Sequence, residues 1–227
     1  YVSQERNSKE VPMQISTSIK MYYNEEGKSV YMFVPGLMAL IMMLVSALMS
    51  SISITREKEL GTMEVLLVSP LKPIQIILGK VAPYLLIAFV DAILIVLMGF
   101  FVFKMPINGS LTLLMSICFL YIFLALSLGI LISTVAPNQL IAMFISMIGL
   151  MLPTMLLSGF IFPIENMPNV LQWFSAIMLA RWFNEIVKNV MLKGVGILFV
   201  WKQTLILLGM SFVIVAASVK KFKIRLE

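Results

Sequence analysis

The sequence contains no histidine and a single cysteine, Cys118. That inventory excludes a zinc site and any Ser/His or Cys/His catalytic arrangement, and it leaves no internal disulfide. Charge is also scarce. Only 12% of residues are Asp, Glu, Lys or Arg, against about 25% in a typical soluble domain. A phosphate-cradling loop is missing too: the lone Gly-Lys pair, Gly79-Lys80, is followed by Val81 and has no earlier glycine at the required spacing. The chain therefore does not handle nucleotide itself. It opens at Tyr1 on a polar stretch, with no charged segment leading into a short apolar one, and reads as a fragment lacking its natural N-terminus.

What is abundant is apolar residue. Sixty per cent of the chain is hydrophobic and the mean hydropathy is +1.01, which places it among membrane proteins. The net charge of +6 does not indicate a nucleic-acid partner, because the basic residues gather at the ends of apolar runs. Such placement fits a lipid bilayer. Five stretches are long enough, at about 1.5 Å per residue, to cross a hydrocarbon core of about 30 Å. They are residues 33–54, 81–103, 111–135, 140–161 and 197–219.

Lysine and arginine then orient the spans. Arg56, Lys58, Lys72 and Lys80 lie in segment 55–80, and Lys220, Lys221, Lys223 and Arg225 in the tail 220–227. Both segments are expected to be cytoplasmic, and the four crossings between them are consistent with that. Residues 1–32 are then extracytoplasmic and read as the end of an external domain. The connection 162–196 also lies outside. Within it Val170, Leu171, Trp173, Phe174, Ile177, Met178, Trp182, Phe183 and Ile186 recur at helix-like spacing, as expected of a piece lying in or dipping into the outer interface. It either caps the bundle or takes part in opening an exit path.

After the first span the chain reads Thr55-Arg56-Glu57-Lys58-Glu59-Leu60-Gly61-Thr62-Met63-Glu64-Val65-Leu66-Leu67-Val68-Ser69-Pro70-Leu71. This predicts a short charged helix with an apolar face of Leu60, Met63, Leu66 and Leu67, stopped by Pro70. A rigid rod attached to a membrane helix suits the transfer of force from a soluble partner.

The run REKELGTMEVLLVSPL resembles the cytoplasmic motif of ABC-2 type transporter permeases, the membrane subunits of ATP-binding cassette exporters. VPGL at Val34–Leu37 and LSGFIFPIENMP at Leu157–Pro168 extend the resemblance over nearly the whole chain. The fold it implies is an all-α integral membrane protein, a type V exporter-like bundle with five of six helices present and the remnant of an external α/β domain at residues 1–32. The resemblance further implies that Arg56, Glu57, Glu59, Leu60, Gly61, Thr62, Glu64, Leu67, Pro70 and Leu71 meet a separate ATPase subunit, which carries the ATP and Mg. It assigns 158–187 to an external re-entrant region, with Gly159, Phe160, Pro163 and Pro168 at the gate. A second permease subunit, identical or not, completes the assembly, and a periplasmic adaptor is a further partner in a bacterial inner membrane. The substrate implied is a hydrophobic or amphipathic molecule, drug-like or lipid-like, moved outward.

Asp91 is the one acid inside an expected span. A charge at that depth costs at least about 2.5–3.5 kcal/mol, so it should face the bundle interior or water. A hydroxyl such as Ser127 or Thr154 could hold it, or it could contact a cationic substrate or a proton. Were Asp91 a coupling residue, a secondary transporter or channel would be the alternative; a non-transporting scaffold is the third class. Glu57, Glu59 and Glu64 read as ion-pairing groups rather than catalytic carboxylates. Pro153 and Gly159 in the fourth span and Gly129 in the third mark kinks or close helix contacts. Asn108-Gly109-Ser110 matches a glycosylation acceptor but carries no weight so near the bilayer.

Overall fold

The computed structural model describes residues 29–62 and 73–224. The external-domain remnant, the tail beyond residue 224, and Glu64, Leu67, Pro70 and Leu71 lie outside the described residues. Among the described residues the chain is helical: α1 (Val30–Glu59), α2 (Pro73–Phe101), α3 (Leu111–Val135), α4 (Gln139–Leu157), a 3-10 turn at Ile164–Asn166, α5 (Asn169–Ile177), α6 (Leu179–Lys193) and α7 (Ile197–Ile224). Five of them, α1 to α4 and α7, are long and apolar enough to cross a membrane.

Three helix ends are set by local chemistry. Ser110 Oγ accepts from the Leu113 amide and Asn138 Oδ1 from the Ile141 amide, satisfying donors that a helix start leaves open. Gly194 ends α6 in the left-handed conformation, with φ +66°, which a glycine adopts without steric cost.

Helices α1 and α3 form the centre. More than half of the most apolar stretch of each is buried, against roughly a fifth for α2, α4 and α7. Lipid tails are as apolar as leucine, so helices in a bilayer associate through close packing and polar contacts rather than through expulsion of water. The seam shows both. A Cβ on Gly129 of α3 would stand 2.4 Å from the Ala47 carbonyl oxygen of α1. Ser46, Ala47, Ser50 and Ser51 are buried beside it, and Ser51 and Ser146 share a hydrogen bond of 2.9 Å that brings in α4. The fully buried Tyr121 donates its hydroxyl to the Ala39 carbonyl at 3.0 Å.

Two expectations need correction. Arg56 does not open a separate helix: Arg56–Glu59 is the last turn of α1, and the break comes at Leu60 and Gly61, with φ +71° at Gly61. Likewise α4 ends at Leu157, so the left-handed Gly159 follows the fourth span instead of lying in it.

The connection 162–196 also differs from one continuous helical piece. It divides at the extended residue Met178, and side chains of α6 take up carbonyls at the end of α5: Trp182 Nε1 donates to Ala176 O at 2.9 Å and Arg181 Nη1 to Gln172 O at 3.0 Å. Its halves have different surroundings. α5 leaves Val170, Trp173, Phe174 and Ile177 exposed, whereas Phe183, Ile186, Val187, Val190 and Met191 of α6 are fully buried. Phe183 stacks on Tyr121 with ring centroids 4.1 Å apart. Tyr121 lies ten residues into α3, so α6 reaches about 15 Å inward from that end of the bundle.

Candidate functional site

At one end of the bundle the last turn of α1 is tied to three other helices. Glu57 pairs with Lys80 of α2 at 2.9 Å and also accepts from the Thr62 hydroxyl. Lys58 donates to the Ser133 carbonyl of α3. Glu59 accepts from the Gln139 amide at 3.0 Å and from its side chain, placing a carboxylate at the start of α4, where the helix dipole favours negative charge. Glu57 and Glu59, read from the sequence as ion-pairing groups, both hold their own bundle together, Glu57 through an ion pair and Glu59 through hydrogen bonds to Gln139. Arg56 and Leu60 stay exposed and, with Thr62, Tyr84 and Gln139, line a cleft of about 440 Å³. A pull on the chain beyond Gly61 would thus reach α1, α2, α3 and α4 together.

The other end brings two sequence motifs into contact. Phe160 is buried over Gly36, where a Cβ would come within 2.0 Å of the ring, and meets Phe33 edge-on at 5.5 Å. Only glycine at position 36 leaves room for that ring. Three successive carbonyls at the end of α4 are then capped by side chains: Leu157 O by Ser175 Oγ at 2.6 Å, Ser158 O by Asn184 Nδ2 at 3.2 Å, and Gly159 O by Lys188 Nζ at 3.2 Å. Asn184 and Lys188 stand four residues apart on α6, on one face, so a single helix supplies two caps. Burial pushes the Lys188 ammonium below its ordinary value. Pro163 lines a pocket of about 560 Å³ between this capped end and α6. Pro168 sits immediately before α5 as its N-cap and is exposed.

Asp91 lies mid-helix on α2, half-buried, and its Oδ2 has no hydrogen-bond partner. The hydroxyls suggested for it are occupied elsewhere. Ser127 donates to Phe123 O, and Thr154 contacts Met43 Sδ at 3.4 Å. Asn108 is also engaged: its backbone amide donates to Met191 O and its side chain to Leu192 O at 2.9 Å, so it closes the end of α6 instead of standing free for modification. The sequence reading gave Lys80, Gln139, Asn184 and Lys188 no part in a site, Lys80 entering only as a marker of topology. Nothing in their spacing names partners some 20 to 80 residues away.

Comparison with known proteins agrees with this architecture. The family described as ABC-2 family transporter protein matches residues 2–220. The chain is 31% identical over 205 residues to the probable multidrug ABC transporter permease YbhS of Escherichia coli strain K12, covering 87% of this chain and 54% of that protein. It is 35% identical over 185 residues to the probable multidrug ABC transporter permease YbhR of the same strain, covering 82% and 50%. ABC transporter G family member 20 of Dictyostelium discoideum is 28% identical over 191 residues, covering 83% and 26%. The chain spans about half the length of the two bacterial relatives it matches. No solved structure matches significantly.

Proposed function

Because the chain belongs to the ABC-2 transporter family, we propose that it is the transmembrane part of a permease subunit in an ATP-driven exporter. Two such subunits, alike or different, sit in a bacterial inner membrane above two ATPase subunits that bind the ATP and Mg. The observation that carries this reading is the tied end of α1, where Glu57, Lys58 and Glu59 reach Lys80, Ser133 and Gln139 of three other helices. A force applied to segment 56–71 by a closing ATPase would be delivered to four spans at once, which is what coupling requires. The cleft edged by Arg56, Leu60 and Thr62 is the seat we assign to that partner. Segment 55–80 is cytoplasmic in this scheme, and the end bearing Gly159 and Pro163 faces outward.

The cargo is a hydrophobic or amphipathic molecule, in keeping with the bacterial relatives named as probable multidrug permeases. Asp91 is the group that would meet a cationic cargo or a proton. A periplasmic adaptor would dock on the outer side. Co-purification tests the coupling assignment: Leu60→Asp with Leu67→Asp should release the ATPase from an otherwise folded permease. Full retention of the ATPase by that variant rejects the assignment.

A further inference from the structure

The pocket between the end of α4 and α6 has a mixed inventory. Arg181, Lys188 and Lys193 line it together with Glu165 and Glu185. Part of this set is spent: Lys188 caps Gly159 O, Arg181 Nη1 is on Gln172 O, and Glu185 accepts from Gln203 Nε2 at 2.8 Å. Part is not. Ser158 Oγ, Arg181 Nε and Asn184 Oδ1 are buried atoms without a hydrogen-bond partner, and the Ser158 and Asn184 residues are each 1% exposed. Buried polar atoms are rarely left unpaired, since each costs the loss of its hydration. Two of the three can donate, and Asn184 Oδ1 can only accept. Those atoms are sealed from the pocket, so the charged side chains are what a ligand would meet. A simple anion would leave the two carboxylates facing like charge, whereas a ligand with a phosphate at one end and a primary ammonium at the other matches both signs.

Depth and surroundings identify the source. The pocket lies at the level of Gly159, which is adjacent to the Phe160 ring packed on Gly36, six residues into α1, so it is about 9 Å from the end of that helix. This is the depth of headgroups relative to a spanning helix. Phe33 and Phe162 follow or precede the lining residues Met32 and Pro163 and are exposed, as side chains against acyl chains would be. The apolar face of α5, with Trp173 79% exposed, suits the same interface.

We propose that this pocket holds the headgroup of a zwitterionic aminophospholipid, with the phosphate against Arg181 and Lys188 and the ammonium against Glu165. The site rests on the membrane reading of the chain but not on transport. Its test needs neither ATPase activity nor export.

The assembled transporter, stripped of lipid in mild detergent, is offered phosphatidylethanolamine, phosphatidylcholine and phosphatidylglycerol with matched acyl chains, and retained lipid is read by native mass spectrometry. Phosphatidylethanolamine should be retained roughly tenfold over phosphatidylcholine, whose methylated nitrogen has no N–H to donate. Glu165→Gln, at an exposed position, should narrow that preference; Lys188→Gln, which keeps an N–H for Gly159 O, should lower retention of all three lipids. Excess glycerophosphoethanolamine should not displace the bound lipid. Equal retention of the three lipids, displacement by the soluble headgroup, or preference unchanged in both variants overturns the proposal.

Discussion

At the scale of single residues, the contact between Gly36 and Phe160 makes the sharpest demand. Gly36→Ala should cost about 1–3 kcal/mol by overpacking, measured as a lower thermal midpoint in detergent. Because the obstructing atoms belong to a side chain rather than to backbone, Phe160→Leu should restore part of the loss in the double variant. Additive losses would show that the ring is not the obstacle. Asp91 makes the opposite demand. Its unpartnered oxygen sits mid-helix, and asparagine has the same shape without the charge, so Asp91→Asn should raise the thermal midpoint while weakening export of cationic relative to neutral substrates. A fall in the midpoint together with unchanged export would assign Asp91 a purely structural contact.

Between elements, the α1–α3 seam is set by how closely two backbones approach. The Ala47 carbonyl that blocks a Cβ on Gly129 is main chain and cannot rotate away, so Gly129→Ala must push the helices apart. A loss of about 2–3 kcal/mol is expected, read from denaturant unfolding in mixed micelles. Gly209→Ala on α7 is the control, since nothing stands within 4 Å of its added Cβ; its midpoint should hold or rise. The same principle explains the end of α4. Its terminal carbonyls would be costly to leave bare inside a membrane, and Ser175, Asn184 and Lys188 remove that cost, locking the outer connection to the spans.

For the whole molecule, cysteine labelling offers a direct check of orientation. Cys118, the one cysteine of this sequence, is fully buried in the core of the bundle, so membrane-impermeant maleimide should leave that residue unlabelled in intact cells. Arg56→Cys and Glu165→Cys, both at exposed positions, should label from opposite faces: Glu165→Cys in intact cells, and Arg56→Cys only after the membrane is opened. Labelling of both from one side would contradict the arrangement that places α1's charged end against a cytoplasmic ATPase.

Composition and run length determined the class and the five spans, because a helix crossing lipid needs some twenty apolar residues whatever its neighbours do. The motif after the first span and its family resemblance were equally local properties, readable from Arg56 to Leu71 in order. Tertiary structure decided what those residues touch. That Glu57 meets Lys80, that α6 packs into the bundle at Phe183, and that position 36 must be glycine depend on packing between segments distant in the chain. Periodicity cannot reveal these contacts: α5 and α6 carry similar apolar spacing, yet one leaves its apolar side chains exposed and the other buries them in the core. The difference lies in which helix stands opposite, and that is a property of the assembled bundle alone.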